Sequence, residues 1–231
     1  IEFLSHDLRS PQVAILSLLA LQKNATTRLS EDELHAKIAA RVQHTLDWAH
    51  DLARISHARA GQYRWDDVGL ALLLSDAIEQ LMPQATAKNM SLLLAHDDRF
   101  VAEAAWLRAD GELLVRAFVN LLSNGVRYSA AGSRIWLRVS LEGERVLCQF
   151  VDEGYGMTAE QIDILLHGHE SLAGLSERNQ PDEARSMGVG FVMARTVIRR
   201  HGGTIDIESQ EGVGTTVSVR LPLLSADLVD E

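Results

Sequence analysis

The side chains best suited to chemistry lie in the stretch Asn120-Leu121-Leu122-Ser123-Asn124-Gly125-Val126-Arg127-Tyr128. Residues four apart on a helix share a face, so the amides of Asn120 and Asn124 stack, and Arg127 joins that side three residues later. Two amides and a guanidinium so aligned suit a polyphosphate with a hard metal ion. An amide oxygen can fill one Mg²⁺ position while phosphates and waters fill the others. Taken alone, an Asn pair at this spacing is more often an ordinary solvated helix face. Three further motifs bear on it. Val151-Asp152-Glu153-Gly154-Tyr155-Gly156 stands where a strand ends. Its carboxylate can accept a hydrogen bond from an exocyclic amine, the group that separates adenine from guanine, and its glycines allow close backbone approach. Ser186-Met187-Gly188-Val189-Gly190-Phe191 enters a helix and offers free N–H groups to phosphate. Gly212-Val213-Gly214-Thr215 is explained by a hairpin turn alone. Each is weak by itself, and only their order is specific.

The elements that must position these residues follow from periodicity. Residues 1–24 read as a helix bent at Pro11, which lacks an N–H and clashes with the preceding turn. A polar connection at 24–30 leads to Ser30-Glu31-Asp32-Glu33, an N-cap with Glu at the third helical position, and a second helix to about residue 59. Leu34, Ile38, Thr45, Trp48, Leu52 and Ile55 fall on a heptad seam, with Arg41 in the remaining slot. Two antiparallel helices leave too much apolar surface for a monomer, so pairing into a four-helix bundle is expected. Gly61 ends the hairpin. A short extended piece at 63–66, a helix at 70–88 and strands at 91–95 and 106–109 come next. The Asn helix opens at Asp110-Gly111-Glu112 and carries Leu113, Leu114, Ala117, Phe118, Leu121 and Leu122 as its apolar stripe. A hairpin over 134–151, a long polar loop at 157–187, a helix at 188–201 stopped by Gly202-Gly203, and a hairpin over 204–221 complete the pattern. The fold class is α+β: a helical hairpin over residues 1–61, an α/β sandwich over 62–225 and a tail at 226–231.

Composition narrows the function classes. With 231 residues, 46% of them apolar and 23% charged, the chain suits one large or two modest globular domains. A net charge of -10 argues against general affinity for nucleic acid or anionic membrane. Cys148 stands alone, which excludes an internal disulfide and fits a reducing compartment. No apolar run approaches the roughly 18 residues of a membrane span. The chain opens on Ile1 rather than Met. The expectation is a cytoplasmic fragment, joined to a membrane, if at all, only through a preceding sensor region. His167 and His169, without further ligands nearby in sequence, read as solvated rather than metal-binding.

In their order, the Asn helix, DxGxG, long loop, GxG and GxGT resemble the ATP-binding domain of sensor histidine kinases. That domain belongs to the wider GHKL group with gyrase, heat-shock-90 and mismatch-repair ATPases, and the resemblance spans residues 66–222. It implies an ATP-binding domain of the Bergerat type. The N box falls on Asn120 to Tyr128, the G1 box on Asp152 to Gly156, the G2 box on Ser186 to Gly190 and the last glycine motif on Gly212 to Thr215. The resemblance then implies that ATP is bound by Asn120, Asn124, Arg127, Tyr128, Asp152, Gly154, Gly156, Gly188, Gly190 and Thr215. Within that set Asn124 holds Mg²⁺, Asp152 reads adenine, Arg127 contacts phosphate and Tyr128 packs near the base. It also makes Phe3-Leu4-Ser5-His6-Asp7-Leu8-Arg9-Ser10-Pro11 an H box. Neutral imidazole is a nucleophile near pH 7, and Asp7 is placed to accept a proton from His6 and orient its ring. The implied reaction is transfer of the γ-phosphoryl of ATP to His6, then to an aspartate of a response regulator. The related ATPases carry a water-activating Glu four residues before the metal-binding Asn. Here that residue is Asn120, which cannot accept the proton, and this favours transfer to a side chain over hydrolysis.

Three features depart from the family pattern. Ser186 replaces the first glycine of the G2 box, the loop 157–187 holds no phenylalanine, and Ser10 stands where many relatives have the Thr or Asn that positions water for dephosphorylation. Beside an autokinase, a phosphatase of the regulator and a non-catalytic nucleotide-gated dimer therefore stay open. The seam predicts a homodimer in sedimentation or light scattering, and a monomer at high micromolar concentration would overturn the bundle reading.

Overall fold

The computed structural model describes residues 63–94, 96–167 and 189–224, together with Ser30, residues 33–35, Ile38 and Val42. The chain divides into two compact units, Ile1–His57 and Ala58–Glu231. In the first, the expected capping box is present. The Glu33 N–H donates to Ser30 Oγ (3.2 Å), while the Glu33 carboxylate accepts from the Ser30 N–H (3.0 Å) and hydroxyl (2.9 Å). Leu34, the first residue of the proposed seam, is buried. The rest of the segment expected to form a helical hairpin, with His6, Asp7 and Ser10, lies outside the described residues.

The second unit runs β1 (Asp66–Gly69), α1 (Leu70–Ala87), β2 (Ser91–Leu94), α2 (His96–Ala104), β3 (Trp106–Ala109), α3 (Gly111–Tyr128), β4 (Arg134–Glu142), β5 (Arg145–Asp152), α4 (Ala159–His167), α5 (Val189–Arg200), β6 (Thr204–Gln210) and β7 (Gly214–Pro222). Strands β2-β4-β5-β7-β6 form a mixed sheet in that order, with β2 parallel to β4 and the other pairs antiparallel. Strands β1 and β3 form a separate antiparallel pair. This is the expected α/β sandwich. Helix α3 packs between α1 and α5 and against β4 and β5. Alternation puts Ile135, Leu137 and Val139 of β4 in the core, and Phe118 of α3 meets Phe150 of β5 with ring centroids 5.6 Å apart. Flanked on several sides, α3 buries a wider arc than the predicted stripe: Val115 and Val126 are buried, whereas Leu113 is only partly so. Cys148 is fully buried, and burial pushes its thiol up to about 12, so it packs as a small apolar residue rather than reacting.

Three expectations need correction. The extended piece placed at 63–66 is strand β1 at Asp66–Gly69, held by its pairing with β3, where Asp67 stands opposite Arg108 and bonds it at 2.8 Å. Helix α2 was not expected. It is short and polar, and among its described side chains only Ala102 is buried. The loop placed at 157–187 contains helix α4, opened by a reciprocal cap in which the Gln161 N–H bonds Thr158 Oγ1 (3.2 Å) and the Thr158 N–H bonds Gln161 Oε1 (2.9 Å). That Thr-x-x-Gln signal was legible in the sequence. Residues 168–188 lie outside the described residues.

Residues 63–65 dock where α3 begins and α5 ends. Asp110 caps α3 by accepting the Leu113 N–H on Oδ1 (3.1 Å), and its Oδ2 accepts the Arg64 N–H (3.0 Å). The Asp110 N–H donates to His201 Nε2 (2.9 Å), and His201 Nδ1 bonds the Val197 carbonyl (2.8 Å). A carbonyl only accepts, so the ring is the neutral Nδ1–H tautomer. The rings of Trp65 and Tyr63 pack on it at 4.9 and 5.5 Å. Burial lowers the His201 pKa, against smaller opposing effects of the Val197 carbonyl and Asp110. A lowered folded-state pKa means that the unfolded chain takes the proton first. Stability from this contact is therefore complete above about pH 6.5 and declines below it. Denaturant unfolding across this range should show that decline, and His201→Phe should remove it while costing about 1–3 kcal/mol at neutral pH.

Candidate nucleotide site

Strand β5 ends on Asp152, and two turns distant in sequence meet there. Oδ1 of Asp152 accepts the N–H of Gly154 (2.9 Å) and of Thr215 (3.2 Å). Both bonds fall on one oxygen, which leaves Oδ2 for a ligand donor. Burial pushes the Asp152 pKa up, and the two N–H bonds pull it partly back. The loop 154–156 and the hairpin tip 210–214 interlock. Gly156 has φ +67°, and a Cβ there would run into the Gln210 carbonyl; Gly214 has φ +139°, and a Cβ there would run into the Asp152 carbonyl. The Gly212 N–H bonds the Tyr155 carbonyl (2.8 Å). Ser209, which sequence reasoning missed, joins them: its Oγ accepts the Met157 N–H, donates to the Gly214 carbonyl and meets Thr215 Oγ1, each at 2.9 Å. Thr215 thus acts on Asp152 through its backbone. The glycines at 212 and 214 do more than close a hairpin.

The C-terminal turn of α3 lies against the same loop. A Cβ at Gly125 would stand 3.0 Å from Ile135 Cδ1 and 3.4 Å from Asp152 Cβ, so a larger residue here would need Ile135 to give by a few tenths of an ångström at the end of β5. The Tyr128 carbonyl accepts the Tyr155 N–H (3.1 Å), and Ser129 forms an antiparallel bridge with Gly154. Gly154 fits because a Cβ there would sit 2.8 Å from the Tyr128 carbonyl. Asn124 and Tyr128 are half-buried and Arg127 is exposed. The Tyr128 hydroxyl is buried without a partner among the described residues, a polar atom left for a ligand or water.

The two asparagines divide. The Asn120 amide nitrogen reaches Met193 Sδ of α5 (3.3 Å), and a Cβ at Gly190 would touch Asn120 Cγ at 3.5 Å. Asn120 and Gly190 therefore meet across the α3–α5 contact, and Gly188 lies outside the described residues. Arg195 of α5, also missed, is buried and donates from Nη1 to the carbonyls of Leu165 and Leu166 at 2.7 Å each, which holds the C-terminal turn of α4. Its isolated position in an apolar helix stripe carried no sequence signal.

The family described as histidine kinase-, DNA gyrase B-, and HSP90-like ATPase matches residues 109–225. The chain belongs to this family. Its relatives include proteins named as sensor proteins and as histidine kinases. It is 26% identical over 223 residues to the heme sensor protein HssS of Staphylococcus saprophyticus, covering 95% of this chain and 45% of the relative. It is 29% identical over 240 residues to the histidine protein kinase DivJ of Caulobacter vibrioides, covering 98% of this chain and 37% of the relative. The chain thus spans less than half the length of these relatives. The fold is shared with the histidine kinase AdeS of Acinetobacter baumannii, with a TM-score of 0.66 at 16% identity, covering 95% of this chain and 98% of that one. Among the described residues no helix is long and apolar enough to cross a membrane, and no group of His, Cys, Asp and Glu could hold a metal by itself.

The interlock has a measurable cost structure. Gly143 also has positive φ, but nothing lies within 4 Å of a Cβ placed there. Gly143→Ala should therefore lose only the conformational term of about 1–2 kcal/mol. Gly156→Ala adds a backbone collision and should lose clearly more in denaturant unfolding. Equal losses would show that the two turns are free to part.

Proposed function

We propose that the second unit binds ATP and that the chain is the kinase core of a sensor histidine kinase, which transfers the γ-phosphoryl of ATP to His6 and then to an aspartate on a response regulator. One observation carries the reading. The Asp152 carboxylate is clamped through one oxygen by two distant turns, with its other oxygen left over beside the last turn of the Asn helix. A fixed, half-buried acceptor of this kind suits an exocyclic amine such as that of adenine. Arg127 would pair with phosphate, Tyr128 would lie along the base, and Gly154 and Gly156 would let the backbone approach. The start of α5, with Gly190 and the preceding Gly188, would offer N–H groups to the phosphates.

The donor set fits Mg²⁺ of the kind that arrives with ATP. Asn124 would supply one neutral hard oxygen, and no cluster of three or more His, Cys, Asp or Glu among the described residues could hold the ion without the phosphates. When bound, the ion neutralises phosphate charge. Asn120 supports transfer over hydrolysis, because an amide cannot take a proton from water and here its nitrogen is engaged by Met193. His6 would attack in line as the neutral ring, with Asp7 accepting the proton from the other nitrogen. Ser10 would be the residue to orient water if the phosphorylated regulator is also hydrolysed. The reaction is expected in a homodimer formed by the helical unit. A second reading, a nucleotide-gated dimer without kinase activity, is favoured by the lack of phenylalanine between residues 151 and 190.

Incubation with Mg²⁺ and γ-labelled ATP separates these readings. Wild type should take up an acid-labile, alkali-stable label that His6→Gln lacks. ATP binding with no such label would overturn the kinase reading in favour of the gated dimer.

A further inference from the structure

Lys88 belongs to none of the motifs above. Helix α1 stops just before it: the Lys88 N–H bonds the carbonyls of Ala85 (3.1 Å) and Gln84 (3.3 Å), Asn89 takes φ 54°, and the Met90 N–H closes on Ala85 (2.8 Å). A left-handed Asn past a helix end is a common stop, and here it holds Lys88 beside the far end of α3. The Lys88 carbonyl accepts the Gly132 N–H (3.0 Å). Its Nζ donates to the carbonyls of Val126 (2.9 Å), Arg127 (3.0 Å) and Ser129 (3.4 Å). The last carbonyls of a helix have no intrahelical partners, and an ammonium has three donors to give. A cation there also complements the negative end of the helix dipole.

The residues bracketed by this grip are the ones that meet the Asp152 loop. The Tyr128 carbonyl takes the Tyr155 N–H, Ser129 bridges Gly154, and the Gly154 N–H donates to Asp152. We propose that Lys88 is a positioning residue for nucleotide binding: it sets the last turn of α3, and through that turn Arg127, Tyr128 and the Asp152 loop, in the geometry that receives ATP. The inference rests on the nucleotide reading above. Lys88 itself touches no ligand; it acts through backbone carbonyls. A neutral side chain would leave those carbonyls without a partner, whereas another cation of similar reach would restore them.

The test is calorimetric titration of the full chain with a non-hydrolysable ATP analogue and Mg²⁺, well below the unfolding midpoint of each variant. Lys88→Met should bind roughly tenfold more weakly than wild type, equivalent to about 1.4 kcal/mol, and Lys88→Arg should recover most of that loss. A merely structural role would lower the unfolding midpoint and leave the affinity of the folded protein unchanged, so Lys88→Met binding as tightly as wild type overturns the proposal. Wild type failing to bind would instead overturn the nucleotide reading, and this inference with it. If Lys88→Met does not fold, hydrogen exchange in Lys88→Gln decides: faster exchange is expected in residues 126–132 and 152–156 together, and faster exchange in the first segment alone overturns the link.

Discussion

The site depends on one oxygen. Asp152 Oδ1 takes N–H groups from Gly154, two residues on, and from Thr215, opposite it on the neighbouring strand β7. Burying a carboxylate is unfavourable unless it is hydrogen-bonded, and hydrogen bonds to a charged group are worth about 1.5–3 kcal/mol each. The carboxylate therefore holds the two turns together as much as they hold it. Neither turn could come so close with a side chain at Gly156 or Gly214, where the space of a Cβ is taken by the backbone of the other turn. These glycines answer first to that approach. Their relation to a ligand is secondary.

Helix ends are the second theme. Helix α3 is tied at its start by Asp110 and at its finish by Lys88, an acid at the N-terminus and a cation at the C-terminus, as the dipole favours. Helix α4 opens on the Thr158–Gln161 cap and closes on Arg195. The His201–Asp110 bond links the start of α3 to the end of α5, with residues 63–65 packed over it. The same two helices carry the Asn and glycine motifs toward their other ends. The entering chain segment thus bears on the helices that build the site, although it lies at the opposite end of both.

Much of this was legible. The alternation of Ile135, Leu137 and Val139 marked β4, the turns at 142–144 and 210–214 marked its hairpin partner and the closing hairpin, and the apolar stripe marked α3 although that helix is covered on several sides. The capping box at Ser30 and Glu33 was read from local chemistry alone and is present. The misses have physical causes. Helix α2 is nine residues long and polar on average, and Ala102 is the one buried residue among its described side chains, too little to mark a helical period. Helix α4 was absorbed into a polar loop, although Thr158 and Gln161 announced it. Strand β1 is four residues long and becomes a strand only because β3 is there to pair with.

What the sequence determined by itself was the inventory: an Asn helix, an acid and glycines at a strand end, a glycine-led helix and a final glycine turn. Local spacing and backbone preference set these, and neither needs a partner. What only the tertiary structure decided was their division of labour. Asn120 turns to Met193 while Asn124 does not, Thr215 works through its amide rather than its hydroxyl, and Ser209, Arg195 and Lys88 become supports of the site. Lys88 finds the Val126 carbonyl 38 residues away, Arg195 the Leu165 carbonyl 30 away and Ser209 the Met157 N–H 52 away. Main-chain donors and acceptors are the same at every position, so no pattern of side chains along the sequence can announce which of them a distant residue will find.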